Sequence, residues 1–164
     1  MPGWLLAIER RVTALSLWAA AAMLAVAAVI GLYQILSRFI FAQPAEWSEV
    51  SVRFALIWMV FLGIPTAFRE GAMVSVDLLW RKSGPAMRSL LDTLALASGV
   101  VLMGVIVWFG FDYAWRTRFQ TIAGLDDFSV MWAYLAMPVG GLFSILALFA
   151  QWFDPRRHEL ENAQ

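Results

Sequence analysis

Residues 44–77 read PAEWSEVSVRFALIWMVFLGIPTAFREGAMVSVD, an apolar run with ionisable side chains at both ends. Arg53 lies inside the run, and Arg69 and Glu70 follow its end. A charge placed at mid-helix in lipid costs roughly 2.5–3.5 kcal/mol on insertion scales, so Arg53 needs a partner. Glu49 lies four residues earlier, which puts the two side chains on one helix face in the favourable order. The stretch therefore predicts a membrane-spanning helix with an ion pair near one end.

Two other partners for Arg53 are compatible with the sequence. The long Arg stem can carry its guanidinium to lipid phosphates, and an acidic side chain of another subunit can also neutralise it. Substituting both residues distinguishes these alternatives, because an Arg53 that pairs with Glu49 predicts that the double Ala variant is less impaired than Arg53→Ala alone. All three stay open at this level.

The composition is that of an integral membrane protein. The 164 residues are 62% hydrophobic and 15% charged, whereas globular domains are about 45–50% apolar and about 25% charged. The net charge of zero provides no basic excess for binding nucleic acid. The chain has no Cys, and its one His, His158, lies in the polar tail. We therefore predict no catalytic, metal-binding or cofactor-binding residues.

Hydrophobic runs predict four transmembrane helices in one domain, residues 1–164. The spans cover about 12–36, 48–68, 90–111 and 130–152, each long enough for a hydrocarbon core about 30 Å thick. Residues 1–11 form a short head expected at the membrane surface. Between the second and third spans, apolar residues alternate with polar ones, which favours a short interfacial helix. The predicted fold class is thus an all-α integral membrane protein.

Basic residues predict the orientation. If the N-terminus is cytoplasmic, eight of them lie inside, namely Arg10, Arg11, Arg69, Arg81, Lys82, Arg88, Arg156 and Arg157. Three lie outside, namely Arg38, Arg116 and Arg118. The positive-inside rule therefore predicts that both termini are cytoplasmic and that the connection between the third and fourth spans is outside.

Small residues line one face of the fourth span. Ala136, Gly140 and Ser144 recur every four residues, and Pro138 lies beside them. Such faces allow helices to approach closely in membranes. The partner helix can belong to this chain or to another one.

The residues resemble those of a known family. The series Glu46-Trp47-Ser48-Glu49 and Arg53, then Trp58, Phe61-Leu62-Gly63, Ala67 and Arg69, then Val76-Asp77, is similar to the small membrane (DctQ-type) subunit of tripartite ATP-independent periplasmic (TRAP) transporters. The run Tyr134-Leu135-Ala136-Met137-Pro138-Val139-Gly140-Gly141 is similar to that family's last helix. Met73 and Asp126 depart from the family's pattern.

The resemblance implies a subunit in the bacterial inner membrane that does not itself bind the solute. A large membrane subunit (DctM-type) would hold the solute and sodium sites, and a periplasmic solute-binding protein would deliver an organic acid. The small subunit would brace its larger partner among the membrane lipids. Candidates for subunit-interface or structural roles are Glu46, Trp47, Glu49, Arg53, Arg69, Asp77, Tyr134, Pro138 and Gly140. The alternative is a structural or assembly subunit of another multi-subunit membrane complex.

Overall fold

The structure is a computed structural model that describes residues 3–40, 46–70, 84–122 and 125–153. Its elements in chain order are α1 (Gly3–Phe39), α2 (Glu46–Arg69), α3 (Pro85–Arg116), β1 (Thr121–Ile122), β2 (Leu125–Ser129), α4 (Met131–Tyr134) and α5 (Ala136–Phe153). Within these ranges, four segments are long and apolar enough to cross a membrane: Trp4–Phe39, Trp47–Arg69, Met87–Arg116 and Met131–Phe153. The predicted all-α membrane fold with four spans is therefore confirmed. The predicted interfacial helix falls largely in residues 71–83, outside the described residues.

The first and third helices begin earlier than the predicted spans. The predicted head is continuous with α1, whose 37 residues extend about 55 Å. Its residues between Gly3 and Val12 include neither Pro nor a further Gly, so no helix breaker separates them from the apolar run. α3 begins at Pro85, directly after Gly84. Proline is favoured at the first helical position because its missing N–H would be unpaired there anyway.

The four spans pack mainly in the lateral order α1, α2, α5, α3. α1 packs on α2, α2 packs on α5, and α5 packs on α3, with a smaller contact between α1 and α5. The fourth span is consequently the most buried of the four. Its buried residues are Ala133, Ala136, Pro138, Gly140, Gly141, Ser144, Ala147, Leu148 and Ala150. The protein core therefore lies along α5.

Contacts between α1 and α2 show that these helices run antiparallel. The Ser16 hydroxyl donates a hydrogen bond of 2.6 Å to the Leu62 carbonyl. Farther along, the Tyr33 and Trp47 rings lie 5.7 Å apart between centroids. Interhelical hydrogen bonds of this kind contribute about 0.6–2 kcal/mol within a membrane. They fix the register between the first two spans.

The fourth span is interrupted once, between α4 and α5. Pro138 is the third residue of α5, and a proline ring clashes with the carbonyl of the residue four positions earlier, here Tyr134. Leu135 keeps a near-helical backbone, with φ −61° and ψ −22°. The Val139 N–H still donates to the Leu135 carbonyl at 3.2 Å. The interruption is therefore local, and the two helices form one span.

A short hairpin joins α3 to the fourth span. β1 and β2 pair in antiparallel fashion, with Thr121 opposite Ser129. The Ser129 hydroxyl lies 2.9 Å from the Arg118 carbonyl and 3.2 Å from that of Thr117, and it accepts a hydrogen bond from the Met131 N–H. Ser129 thereby ties the end of α3 to the start of α4.

Candidate subunit interface and polar contacts between the helices

Glu49 and Arg53 form an ion pair in the first two turns of α2. The Arg53 guanidinium donates to the Glu49 carboxylate, as their spacing of four residues predicts. The side chains are 71% exposed for Arg53 and 56% exposed for Glu49. Exposed pairs of this kind typically contribute no more than about 1 kcal/mol to stability in water. Because both side chains are more than half exposed, the pair projects outward from the bundle, and both charges are accessible to another molecule.

Arg69 has a contrasting environment at the opposite end of α2. It is 1% exposed, as is Glu9 of α1. The Arg69 Nε lies 3.3 Å from Glu9 Oε2, and the Arg69 Nη1 donates a hydrogen bond of 3.0 Å to Gln151 of α5. The Thr13 hydroxyl donates to Glu9 Oε1 at 2.9 Å. These four side chains, here called the buried polar cluster, join three helices.

Glu9 is not among the candidates predicted from the sequence, because residues 1–11 are expected at the membrane surface. The available signal was its spacing. Glu9, Thr13, Ser16 and Ala20 recur at intervals of three or four residues, and all four are buried. This spacing defines one helix face. Continuing that face from the apolar span back into the head would have predicted a buried carboxylate that required a cation.

The small-residue face of the fourth span packs inside this chain. A Cβ added at Gly140 would overlap the Phe61 carbonyl of α2. One added at Gly141 would come within 2.6 Å of the Val107 side chain of α3. The Ser144 hydroxyl is satisfied by the Gly140 carbonyl at 2.7 Å. Adjacent glycines thus allow α5 to contact one helix on each side.

Aromatic residues extend this packing toward the hairpin end of the bundle. The indole N–H of Trp58 in α2 donates to the Trp132 carbonyl of α4 at 3.0 Å. The Tyr113 and Tyr134 rings stack with centroids 5.8 Å apart, joining α3 to α4. Trp47 is 41% exposed and contacts Tyr33 of α1. α4 thus contacts α2 on one side and α3 on the other, and these contacts hold the interrupted span in place.

The predicted site residues are distributed over the bundle. Glu49 and Arg53 meet each other, and Arg69 lies at the other end of the same helix. Tyr134, Pro138 and Gly140 are part of the internal packing of the fourth span. Glu46 begins α2, and Asp77 lies outside the described residues. Within residues 3–40, 46–70, 84–122 and 125–153, no group of three or more His, Cys, Asp or Glu side chains is placed to hold a metal ion.

Comparison with known proteins identifies a matching family and two similar proteins. The family model for the DctQ component of tripartite ATP-independent periplasmic transporters matches residues 27–158. The sialic acid TRAP transporter small permease protein of Vibrio cholerae is 29% identical over 123 residues, which are 74% of this chain and 70% of that protein. The sialic acid TRAP transporter permease protein of Haemophilus influenzae is 29% identical over 116 residues, 71% of this chain but 18% of that protein.

Proposed function

Because this chain belongs to the family of DctQ components of TRAP transporters, we propose that it is the small membrane subunit of a sodium-driven transporter that imports an organic acid. Members of this family are transporter components, and the chain is not an enzyme. The family match includes α2, α3 and the fourth span. This family match is the main observation that supports the proposal.

A large membrane subunit is the proposed partner. The part of the Haemophilus influenzae permease that resembles this chain is 18% of that protein. A segment of this kind is therefore a minor part of a longer permease, and here a separate DctM-type chain would supply the rest. A periplasmic solute-binding protein would deliver the organic acid. The two similar proteins are both named for sialic acid, which is an organic acid.

The distribution of charge supports a bracing role that leaves solute binding to the partner. Transporter sites lie near the bilayer midplane and use polar groups or broken helices there. In the described spans, the Asp, Glu and Arg side chains, among them Glu9, Arg53 and Asp92, lie toward the helix ends. The solute and sodium sites are accordingly assigned to the large subunit. The alternative, a structural or assembly subunit of another membrane complex, predicts a different partner.

The proposed location is the bacterial inner membrane, with both termini in the cytoplasm. The basic residues support this orientation, because they are concentrated in the segments that it places inside. In that orientation the buried polar cluster lies toward the cytoplasm. The Glu49–Arg53 pair then lies toward the periplasm, where it would contact the large subunit.

Purification in a mild detergent tests the proposal. We expect a much larger polytopic membrane protein to accompany this chain, and we expect the chain alone in liposomes to take up no organic acid under a sodium gradient. Uptake by the chain alone would refute the bracing role. Recovery of an unrelated complex in place of a polytopic permease would favour the alternative.

A further inference from the structure

The first turns of α1 extend past the end of α2. Arg69 is the last residue of α2 and contacts Glu9, so residues 3–8 lie beyond that contact. Trp4 in this extension is 62% exposed, and Ile8 is 46% exposed. Apolar and aromatic side chains at the end of a span are suited to the interface between headgroups and acyl chains.

The ion pair with Arg69 changes the surface charge of this extension. In the sequence, Glu9 adjoins Arg10 and Arg11 and would offset one of them. In the structure Glu9 is turned inward, whereas Arg10 and Arg11 are exposed. Neither Arg forms an ion pair within the described part of the chain. Within the described residues, this end of α1 therefore presents two exposed positive charges that are not held in an ion pair.

Arg11 also lies within an apolar stripe. Trp4, Ile8, Arg11, Leu15 and Trp18 are spaced alternately by four and three residues, and all are exposed. This spacing places them on one face of the helix. Leu15 is 68% exposed and Trp18 is 76% exposed. Trp18 lies about 10 Å beyond Arg11 along the helix axis. A cation at the headgroup level thus adjoins apolar side chains at acyl-chain depth.

We propose that this face, here called the α1 stripe, is a binding site for an anionic phospholipid. The guanidinium of Arg11, with Arg10 beside it, binds the headgroup phosphate, and Leu15 and Trp18 contact an acyl chain. Charge complementarity favours a lipid with net negative charge over a zwitterionic one. A helix from another protein would instead have to supply an acidic side chain for each cation or bury the cation unpaired.

Native mass spectrometry of the full-length chain tests this site, with phosphatidylglycerol and phosphatidylcholine as probes. We expect the wild type to retain more phosphatidylglycerol than phosphatidylcholine. In R10Q/R11Q, the ratio of bound phosphatidylglycerol to bound phosphatidylcholine should fall about tenfold. The matched control is R116Q, at another exposed Arg whose charge is already paired with Asp112 at 2.9 Å. An unchanged preference in R10Q/R11Q, or an equal loss in R116Q, would overturn the proposal.

A second measurement requires no variant and uses the chain in its purified complex. Photoactivatable phosphatidylglycerol should crosslink to the helix segment 11–18. Crosslinks that map only to other segments would refute the assignment. If crosslinking to this segment is present in the isolated chain but abolished in the complex, a protein covers the α1 stripe and the lipid proposal is wrong.

Discussion

The substitution Glu9→Gln tests the buried polar cluster most directly. It removes the carboxylate charge but preserves the size of the side chain and an oxygen that can accept from Thr13. Arg69, which is 1% exposed, would be left without the carboxylate that now lies 3.3 Å from its Nε. Breaking a buried ion pair from one side typically costs about 3–5 kcal/mol. We expect a loss of that size in the free energy of unfolding.

The double variant Glu9→Gln/Arg69→Met separates charge from shape. Both charges are then absent, so we expect it to be more stable than Glu9→Gln alone. The assay is unfolding of the purified chain in mixed micelles with increasing SDS, followed by tryptophan fluorescence. Asp112→Asn is the control, because its partner Arg116 is 72% exposed and the expected loss is below about 1 kcal/mol.

Two results would refute this reasoning. If Glu9→Gln is no more destabilised than Asp112→Asn, the Glu9–Arg69 contact is not a buried electrostatic interaction. If the double variant is less stable than Glu9→Gln, the hydrogen bond from Arg69 to Gln151, and not charge compensation, dominates the cluster.

Three further predictions concern other parts of the bundle. Arg53→Ala should strongly reduce co-purification of the large subunit, and Glu49→Ala/Arg53→Ala should partly restore it, because Glu49 is then no longer left unpaired; a double variant as impaired as the single one would indicate that Arg53 pairs with an acid of the large subunit and not with Glu49. Gly140→Ala should cost about 1–3 kcal/mol in SDS unfolding because its Cβ meets the Phe61 carbonyl, whereas Gly63→Ala, with open space, should not destabilise. With a membrane-impermeant thiol reagent in intact cells, Thr121→Cys should be labelled and Ser83→Cys should not; labelling of Ser83→Cys but not of Thr121→Cys would overturn the proposed orientation.

The number of spans was predictable because it depends on local properties of the sequence. An apolar run either is or is not long enough to cross the hydrocarbon core, and charged or turn-forming residues here separate each run from the next. The helix starts were less accessible. The apolar run begins at Val12, but a helix can extend beyond the hydrocarbon, as α1 does back to Gly3. Hydrophobicity indicates where lipid contacts the chain, and helix-breaking residues indicate where the helix ends.

The same distinction applies to the candidate site. The Glu49–Arg53 contact joins residues four positions apart, so helix geometry alone brings the side chains together. The Glu9–Arg69 contact joins two helices and depends on their relative register, which local sequence does not specify. Gly140 is similar, since its small size predicts a close neighbour without saying which helix supplies it. The structure assigns that neighbour to Phe61 of this chain.

The two ion pairs of α2 make different contributions to the proposed bracing role. Arg69 of α2 pairs with Glu9 of α1 and donates to Gln151 of α5, so contacts within this chain join the three helices. The Glu49–Arg53 pair is exposed and joins two residues of the same helix. Loss of the exposed pair should therefore weaken assembly and leave the isolated chain stable, whereas loss of Glu9 should destabilise the isolated chain itself. A variant of the exposed pair that unfolds the isolated chain would contradict this division of roles.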